Sequence, residues 1–305
     1  MNRFTRSWKL IGRSIGVVLE HRRLLLFPVV MLPLYIVVLL FFVAPLLMWN
    51  TGHSWLEAEH WQALGGLFVR IHAPGGNSEH GTAYTPLAYG YAIAIYLVSM
   101  FLATFSNVAF YHEILQALNG NAVSIRRGFR LAITKWRAIL AWSLLSGLVG
   151  ILIRTIEERL SFVARWMVGL IGMAWSVASV FAIPVIIRDA QASNPLHCLK
   201  SSALMLKRTW GETAIGYLGL QTGNLILLIG SLVLLGCATA VSVMLDNYWI
   251  IASVALLWLL TMLVVGYFVG VASHVYRAAL FCYASEGVIP APYDREMLDT
   301  AWKIK

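Results

Sequence analysis

LLLFPVVMLPLYIVVLLFFVAPLLM, residues 24 to 48, carries no charged side chain. A helix needs roughly 20 mostly apolar residues to cross the hydrocarbon of a bilayer. This stretch is long enough to do so and too apolar for the surface of a soluble helix. Five further segments read the same way: Leu87–Tyr111, Ala138–Ile153, Met167–Ile187, Thr213–Ala240 and Tyr248–Ala272. With Leu24–Met48 they predict six transmembrane helices. The third is short and borrows a turn on either side, while the fifth is long enough to tilt or break. Composition agrees. The chain has 305 residues, 59% hydrophobic and 12% charged, where soluble domains carry about 25% charged residues. The expected fold class is therefore all-α: a polytopic membrane protein forming a single integral domain over residues 1–305.

Charge sets the expected orientation. Of the 23 Lys and Arg, all but Arg70, Arg154, Arg159 and Arg165 precede span one, lie between spans two and three or four and five, or follow span six. Basic residues favour the cytoplasmic side. Both termini are thus expected in the cytoplasm of a bacterial or archaeal cell, with the protein in its cytoplasmic membrane. Trp49, Trp166 and Trp249 at outer span ends, and Trp136 and Trp210 at inner ones, suit interfacial anchors. The N-terminal apolar run is too long for a cleavable signal and lacks a small-residue cleavage site.

Each outward-going span follows a basic amphipathic stretch. Phe4, Trp8, Ile11, Ile15 and Val18 form the first stripe, flanked by Arg6, Lys9 and Arg13. Ile125, Phe129, Ala132 and Trp136 form the second, beside Arg126, Arg127 and Arg130. Leu199, Ala203, Leu206 and Trp210 form the third, beside Lys200, Lys207 and Arg208, and Asn194-Pro195 is a start signal for it. Such helices lie in the interface, with apolar side chains in the acyl boundary and basic ones at anionic headgroups. The expected organisation is three hairpins, each preceded by an interfacial helix, in units of about 1–118, 119–190 and 191–288. A short cytoplasmic tail, 289–305, follows. NVAFYHEILQALNG (107–120) and HVYRAALFCYASEG (274–287) echo each other, each carrying a helix on to a glycine stop.

Candidate sites are few. The basic collar would bind membrane lipids through anionic headgroups, or a protein partner or second copy of the chain. RTIEERLSFVARW (154–166) places Arg154, Glu157, Glu158, Arg159 and Arg165 between spans three and four. It reads as a headgroup-level clamp or as an outer vestibule. Gln221 and Asn224 share a face of span five, serving interhelical hydrogen bonds or, in the alternative function, the path of a small transporter or channel. Small residues four apart, such as Ser143/Gly147, Ser146/Gly150 and Gly266/Gly270, signal close packing. His53, His60, His72 and His80 in the long loop match no ligand spacing, and Cys198, Cys237 and Cys282 form no pair motif, so no metal and no cofactor are expected. SWLEAEHW (54–61) suggests a short helix on the outer interface. His112-Glu113 does not open an HExxH motif, and neither a nucleophile elbow nor a phosphate loop is present. A non-enzymatic protein is expected, and nucleic acid is not an expected partner.

FTRSWKLI (4–11), LLLFP (24–28), IEERL (156–160), AWSVASVFAIPV (174–185), LKSSALMLKRTWGE (199–212) and YRAALFCYASEG (276–287) resemble an uncharacterised prokaryotic family of six-span membrane proteins, a domain of unknown function. More distantly, the alternation of basic helices and hairpins is similar to the membrane domain attached to some glycerophosphodiester phosphodiesterases, whose catalytic domain has no counterpart here. The resemblance implies the fold and brings no substrate or catalytic residue.

Overall fold

The computed structural model describes residues 3–71, 82–189, 192–287, 290 and 293. The side chains at 3–11, 70–71, 82–83, 162–163, 208–228 and 286 are outside that description. In chain order the elements are α1 (Arg3–Glu20), α2 (Arg23–Leu47), α3 (Ala58–Phe68), β1 (Val69–Ile71), β2 (Thr82–Tyr84), α4 (Pro86–Leu118), α5 (Ile125–Thr134), α6 (Trp136–Arg159), α7 (Phe162–Ala178), α8 (Ala182–Arg188), α9 (Pro195–Met244) and α10 (Tyr248–Glu286). The described chain is helical apart from one two-stranded antiparallel ribbon, in which Val69 pairs with Tyr84 and Ile71 with Thr82.

Five helical segments are long and apolar enough to cross a membrane: Arg23–Leu47, Pro86–Leu118, Trp136–Arg159, Ala164–Arg188 and Tyr248–Ser285. Of the expected fifth span, the part with described side chains lies within Ile229–Met244, a shorter apolar helix. Burial runs opposite to hydropathy. The α2 window, with mean hydropathy 2.8, is 17% buried, and the α10 window, at 2.4, is 6% buried. Water would drive such residues inward, whereas lipid leaves them outside. In α10 no residue from Tyr248 to Gly270 is buried, and burial begins at Val271. At about 1.5 Å per residue the unburied stretch is about 34 Å long, close to the roughly 30 Å of bilayer hydrocarbon.

Two expectations about helix boundaries change. The expected fourth span is interrupted at Ser179–Phe181, between α7 and α8. Pro184 has no N–H for the carbonyl four residues earlier, and it fits the first turn of a new helix. The Phe181 N–H donates to Ser202 Oγ at 3.0 Å. The third amphipathic stretch is not a separate interfacial helix, because it runs without a break into the following apolar segment as the single helix α9. Its start is as expected: Asn194 Oδ1 accepts from the Leu196 N–H at 3.0 Å and the His197 N–H at 3.4 Å, with Pro195 in the first turn.

The chain groups into two compact units that cut across the consecutive hairpin units. One comprises Met1–Phe27, Asn107–Lys135 and Met173–Lys305, the other Pro28–Ser106 and Trp136–Gly172. The first holds most of the buried core. Its buried residues include Val17, Val18, Leu24 and Phe27, Ile114 and Leu115 of α4, Val185 and Ile186 of α8, Cys198 and Leu206 of α9, and Val275, Leu280 and Phe281 of α10. Both echoed segments end in left-handed glycines, Gly120 at φ 76° and Gly287 at φ 63°. Ser14 of α1 and Tyr293 share a buried hydroxyl hydrogen bond of 2.7 Å.

In the second unit, α4 meets α6 at Gly147, where an added Cβ would lie 3.1 Å from Leu97, and at Gly150, which abuts the Tyr96 hydroxyl. Of the small residues expected to pack closely in span three, Gly147 and Gly150 do so. Gly266 and Gly270, by contrast, face open space. The Tyr91 hydroxyl donates to the Phe42 carbonyl. The loop helix begins at Ala58, so Trp55 and Leu56 lie in the turn before it. Buried His60 anchors that helix, with Nε2 3.0 Å from the Leu46 carbonyl and Nδ1 2.7 Å from Thr51 Oγ1.

Candidate functional site

The first unit carries the basic residues singled out in the sequence, and the fold sorts them. In α5 the buried positions are Gly128 and Ala132. That points Arg126, Arg130 and Ile133 outward along one face at i, i+4 and i+7. Trp136 and Arg137 follow, both exposed, with the guanidinium 5.5 Å above the indole ring. In α9 the buried face is Cys198, Ser202 and Leu206, which leaves Leu196, Lys200, Leu204 and Lys207 exposed along the opposite stripe. Leu196 is 62% exposed and Leu204 51%. Each helix therefore has a packed inner face and an outer face that mixes basic with large apolar side chains. Arg13 of α1 is also exposed. The side chains of Arg6, Lys9, Arg208, Gln221 and Asn224 lie outside the described residues.

Arg127 behaves differently from its neighbours. It was grouped with the headgroup-facing arginines, but its guanidinium is held by Glu113 of α4. Nε donates to Oε1 at 2.9 Å and Nη2 to Oε2 at 2.7 Å. Nη2 also donates to the Ala122 carbonyl at 2.8 Å. Oε2 further accepts the Ser124 N–H at 2.6 Å, which satisfies a donor at the start of α5. The Glu113 side chain is 0% exposed and that of Arg127 40%. The hydrogen bond to Glu113 pushes the arginine pKa up and so holds its charge. Gly128 lets α5 come this close. A Cβ there would lie 2.6 Å from the Ala109 carbonyl oxygen, 2.9 Å from Phe27 and 3.1 Å from Glu113 Cγ. In the sequence, His112-Glu113 opens no metalloprotease motif, and no other motif there singles out Glu113. The available signal was one acid near the end of an apolar helix, followed after a tight NGN turn by an arginine beside a glycine.

Further polar ties hold the same unit. Lys135 Nζ donates to the Asp189 carbonyl at 2.9 Å, and Asp189 Oδ2 lies 3.3 Å from His197 Nδ1. Burial, then the nearby Asp189 charge, pushes the Cys198 thiol up to about 11, so it is a poor nucleophile at neutral pH. Among the described residues no cluster of His, Cys, Asp and Glu could hold a metal ion.

The charged turn belongs to the second unit. Arg154 Nε donates to Glu158 Oε1 at 3.1 Å, with side chains 82% and 66% exposed. Both residues are in α6, so this pair does not clamp two helices together. Across the turn, Arg165 Nη2 donates to the Leu160 carbonyl at 3.4 Å. Glu157 is half-buried and Arg159 exposed.

No curated protein matches the chain, and no solved structure matches it. One family matches residues 88–290, which takes in α5, Glu113, the charged turn and the described part of α9. FTRSWKLI and LLLFP lie before that match. The chain belongs to the family of unknown function DUF6159.

Proposed function

We propose that the chain is a six-span protein of the bacterial or archaeal cytoplasmic membrane, with both termini in the cytoplasm, and that its role is non-catalytic: it binds anionic lipid headgroups through the outer faces of α5 and α9. The observation that carries this reading is the alternation on those faces. On α5, Arg126 and Arg130 share a face with exposed Ile133, and on α9 Lys200 and Lys207 alternate with exposed Leu196 and Leu204. Purely solvated faces would carry polar residues in place of those large apolar ones. At an interface the apolar side chains enter the acyl boundary while the basic ones reach the headgroups.

Each Lys or Arg near an anionic surface contributes roughly 1 kcal/mol, so four contribute at most roughly 4 kcal/mol. The test uses the full chain in vesicles containing spin-labelled phosphatidylglycerol or phosphatidylcholine. Wild type should select phosphatidylglycerol. A combined Arg126→Gln, Arg130→Gln, Lys200→Gln, Lys207→Gln variant should lose most of that selectivity, and salt should weaken it in wild type. Equal selectivity in wild type and variant would overturn the reading.

A further inference from the structure

The loop between α2 and α4 forms a second face of different chemistry. From Met48 to Val69 it holds no Lys or Arg. One side of α3 is fixed: His60 is tied to the last turn of α2, Leu64 is buried, and Thr85 Oγ1 donates to the Leu67 carbonyl at 2.7 Å. The remaining surface divides in two. Trp61 and Gly65, one turn apart, lie on one flank, with exposed Trp55 and Leu56 at its foot. Glu59 and Gln62, three residues apart, lie on the other. The Trp61 indole N–H donates to the Trp55 carbonyl at 2.9 Å. With its polar atom satisfied inside the loop, that ring can enter an apolar phase without stranding a donor. Glu57 is likewise engaged, accepting the Ser54 N–H at 3.3 Å with His53 Nδ1 3.4 Å away. Met48 and Trp49, where α2 leads into this loop, are exposed too, as is the apolar surface of α2 before them.

We infer that the Trp55–Leu56–Trp61 flank is a membrane-seating surface: it lies in the lipid interface at the Leu47 end of α2 and holds α3 along the bilayer with Glu59 and Gln62 turned to water. The loop leads directly from α2, a helix apolar enough to cross a membrane and exposed along much of its length, and that identifies lipid as the occupant. The lack of basic residues makes this contact indifferent to headgroup charge, unlike the faces of α5 and α9. The two surfaces rest on different residues and can fail separately.

The experiment attaches a nitroxide to cysteines placed singly at Leu56, Gln62 and Leu40 in the full chain carrying Cys237→Ser, reconstituted in phosphatidylcholine vesicles. Cys198 and Cys282 are buried. Leu40, exposed in the middle of α2, is the reference for lipid contact. The ratio of oxygen to water-soluble nickel relaxation should be several-fold higher at Leu56 than at Gln62 and should lean toward the Leu40 value. It should not change when phosphatidylglycerol replaces part of the lipid. Equal water access at Leu56 and Gln62 would overturn the inference. So would shielding of Leu56 from both relaxants, which would mean that protein covers the flank.

Discussion

Removing Arg127 should cost more stability than removing Glu113, although the two form one pair. The Glu113 carboxylate is fully buried, and two of its three hydrogen bonds come from Arg127. Arg127→Met keeps most of the aliphatic packing and leaves that carboxylate one hydrogen bond, from the Ser124 N–H, with His112 Nε2 3.8 Å away. Breaking a buried pair in this way costs about 3–5 kcal/mol. Glu113→Gln leaves a neutral acceptor of nearly the same shape. The freed guanidinium, 40% exposed, can turn to water. What is lost is a charge-assisted cap on Ser124 and a partly exposed ion pair, together about 1–2 kcal/mol. The double variant Glu113→Gln, Arg127→Met should be more stable than Arg127→Met alone, since no buried charge remains. Denaturant titration in detergent micelles, followed by tryptophan emission, measures all three losses, and the double-mutant cycle isolates the coupling. If Arg127→Met lies within about 0.5 kcal/mol of wild type, below even the cost of a weak hydrogen bond, or if Glu113→Gln is the costlier change, the account of this corner is wrong.

Gly128→Ala should cost about 1–3 kcal/mol, because its methyl meets backbone, while Gly270→Ala, which faces open space, should not destabilise in the same titration. Glu158→Gln should change stability by less than about 1 kcal/mol, given the exposure of its pair with Arg154; a larger loss would restore a clamp at that turn. Burial raises Cys198 from 9.0 to about 11 and Tyr293 from 10.0 to about 12. A raised folded value favours the neutral form, so the stability from these groups is fully present below pH 9 and 10 respectively and is lost as pH rises through 11 and 12. Melting temperature should therefore fall across that alkaline window, with a smaller fall in Tyr293→Phe. For orientation, a membrane-impermeant maleimide applied from outside should modify a cysteine placed at Ser54 and spare one at Asn121, both exposed positions; modification of both from one side would refute the proposed topology.

Apolar run length was enough to place the long helices, because a 25-residue stretch without charge has few alternatives. It did not show where helices stop. The break before α8 depends on a serine from another helix capturing the Phe181 N–H, a long-range contact that periodicity does not encode. The continuity of α9 was hidden for the opposite reason, since its polarity changes while its backbone does not. Of the second amphipathic stripe, Phe129 stacks on buried Phe27 and Ala132 is buried, while Trp136, at the start of α6, is exposed and Gly128 is buried as well. Hydrophobic periodicity does not tell Arg126, Arg127 and Arg130 apart. Which one turns inward is decided by the acid waiting on α4, fourteen residues away in sequence.

The location of the packed core follows from the same physics. Between helices surrounded by lipid, apolar side chains gain little by leaving lipid tails for one another, so association relies on close packing and hydrogen bonds. Gly147 and Gly150 against Tyr96, and the Tyr91 hydroxyl on the Phe42 carbonyl, are contacts of that kind. Where the chain leaves the hydrocarbon, water again rewards burial, and large side chains can assemble a true core. The switch at Val271 in α10, from no buried residue to an almost continuous run of them, is what such a change of solvent along a single helix would produce. The buried Glu113 carboxylate and the left-handed Gly120 and Gly287 fall in the same unit as this packed stretch of α10. In the proposed topology the Val271–Glu286 end of α10 is cytoplasmic, and the outer faces of α5 and α9 belong to the same unit. A rigid core beneath those faces fixes the spacing of Arg126, Arg130, Lys200 and Lys207, so that their attraction to headgroups is not spent on ordering flexible helices.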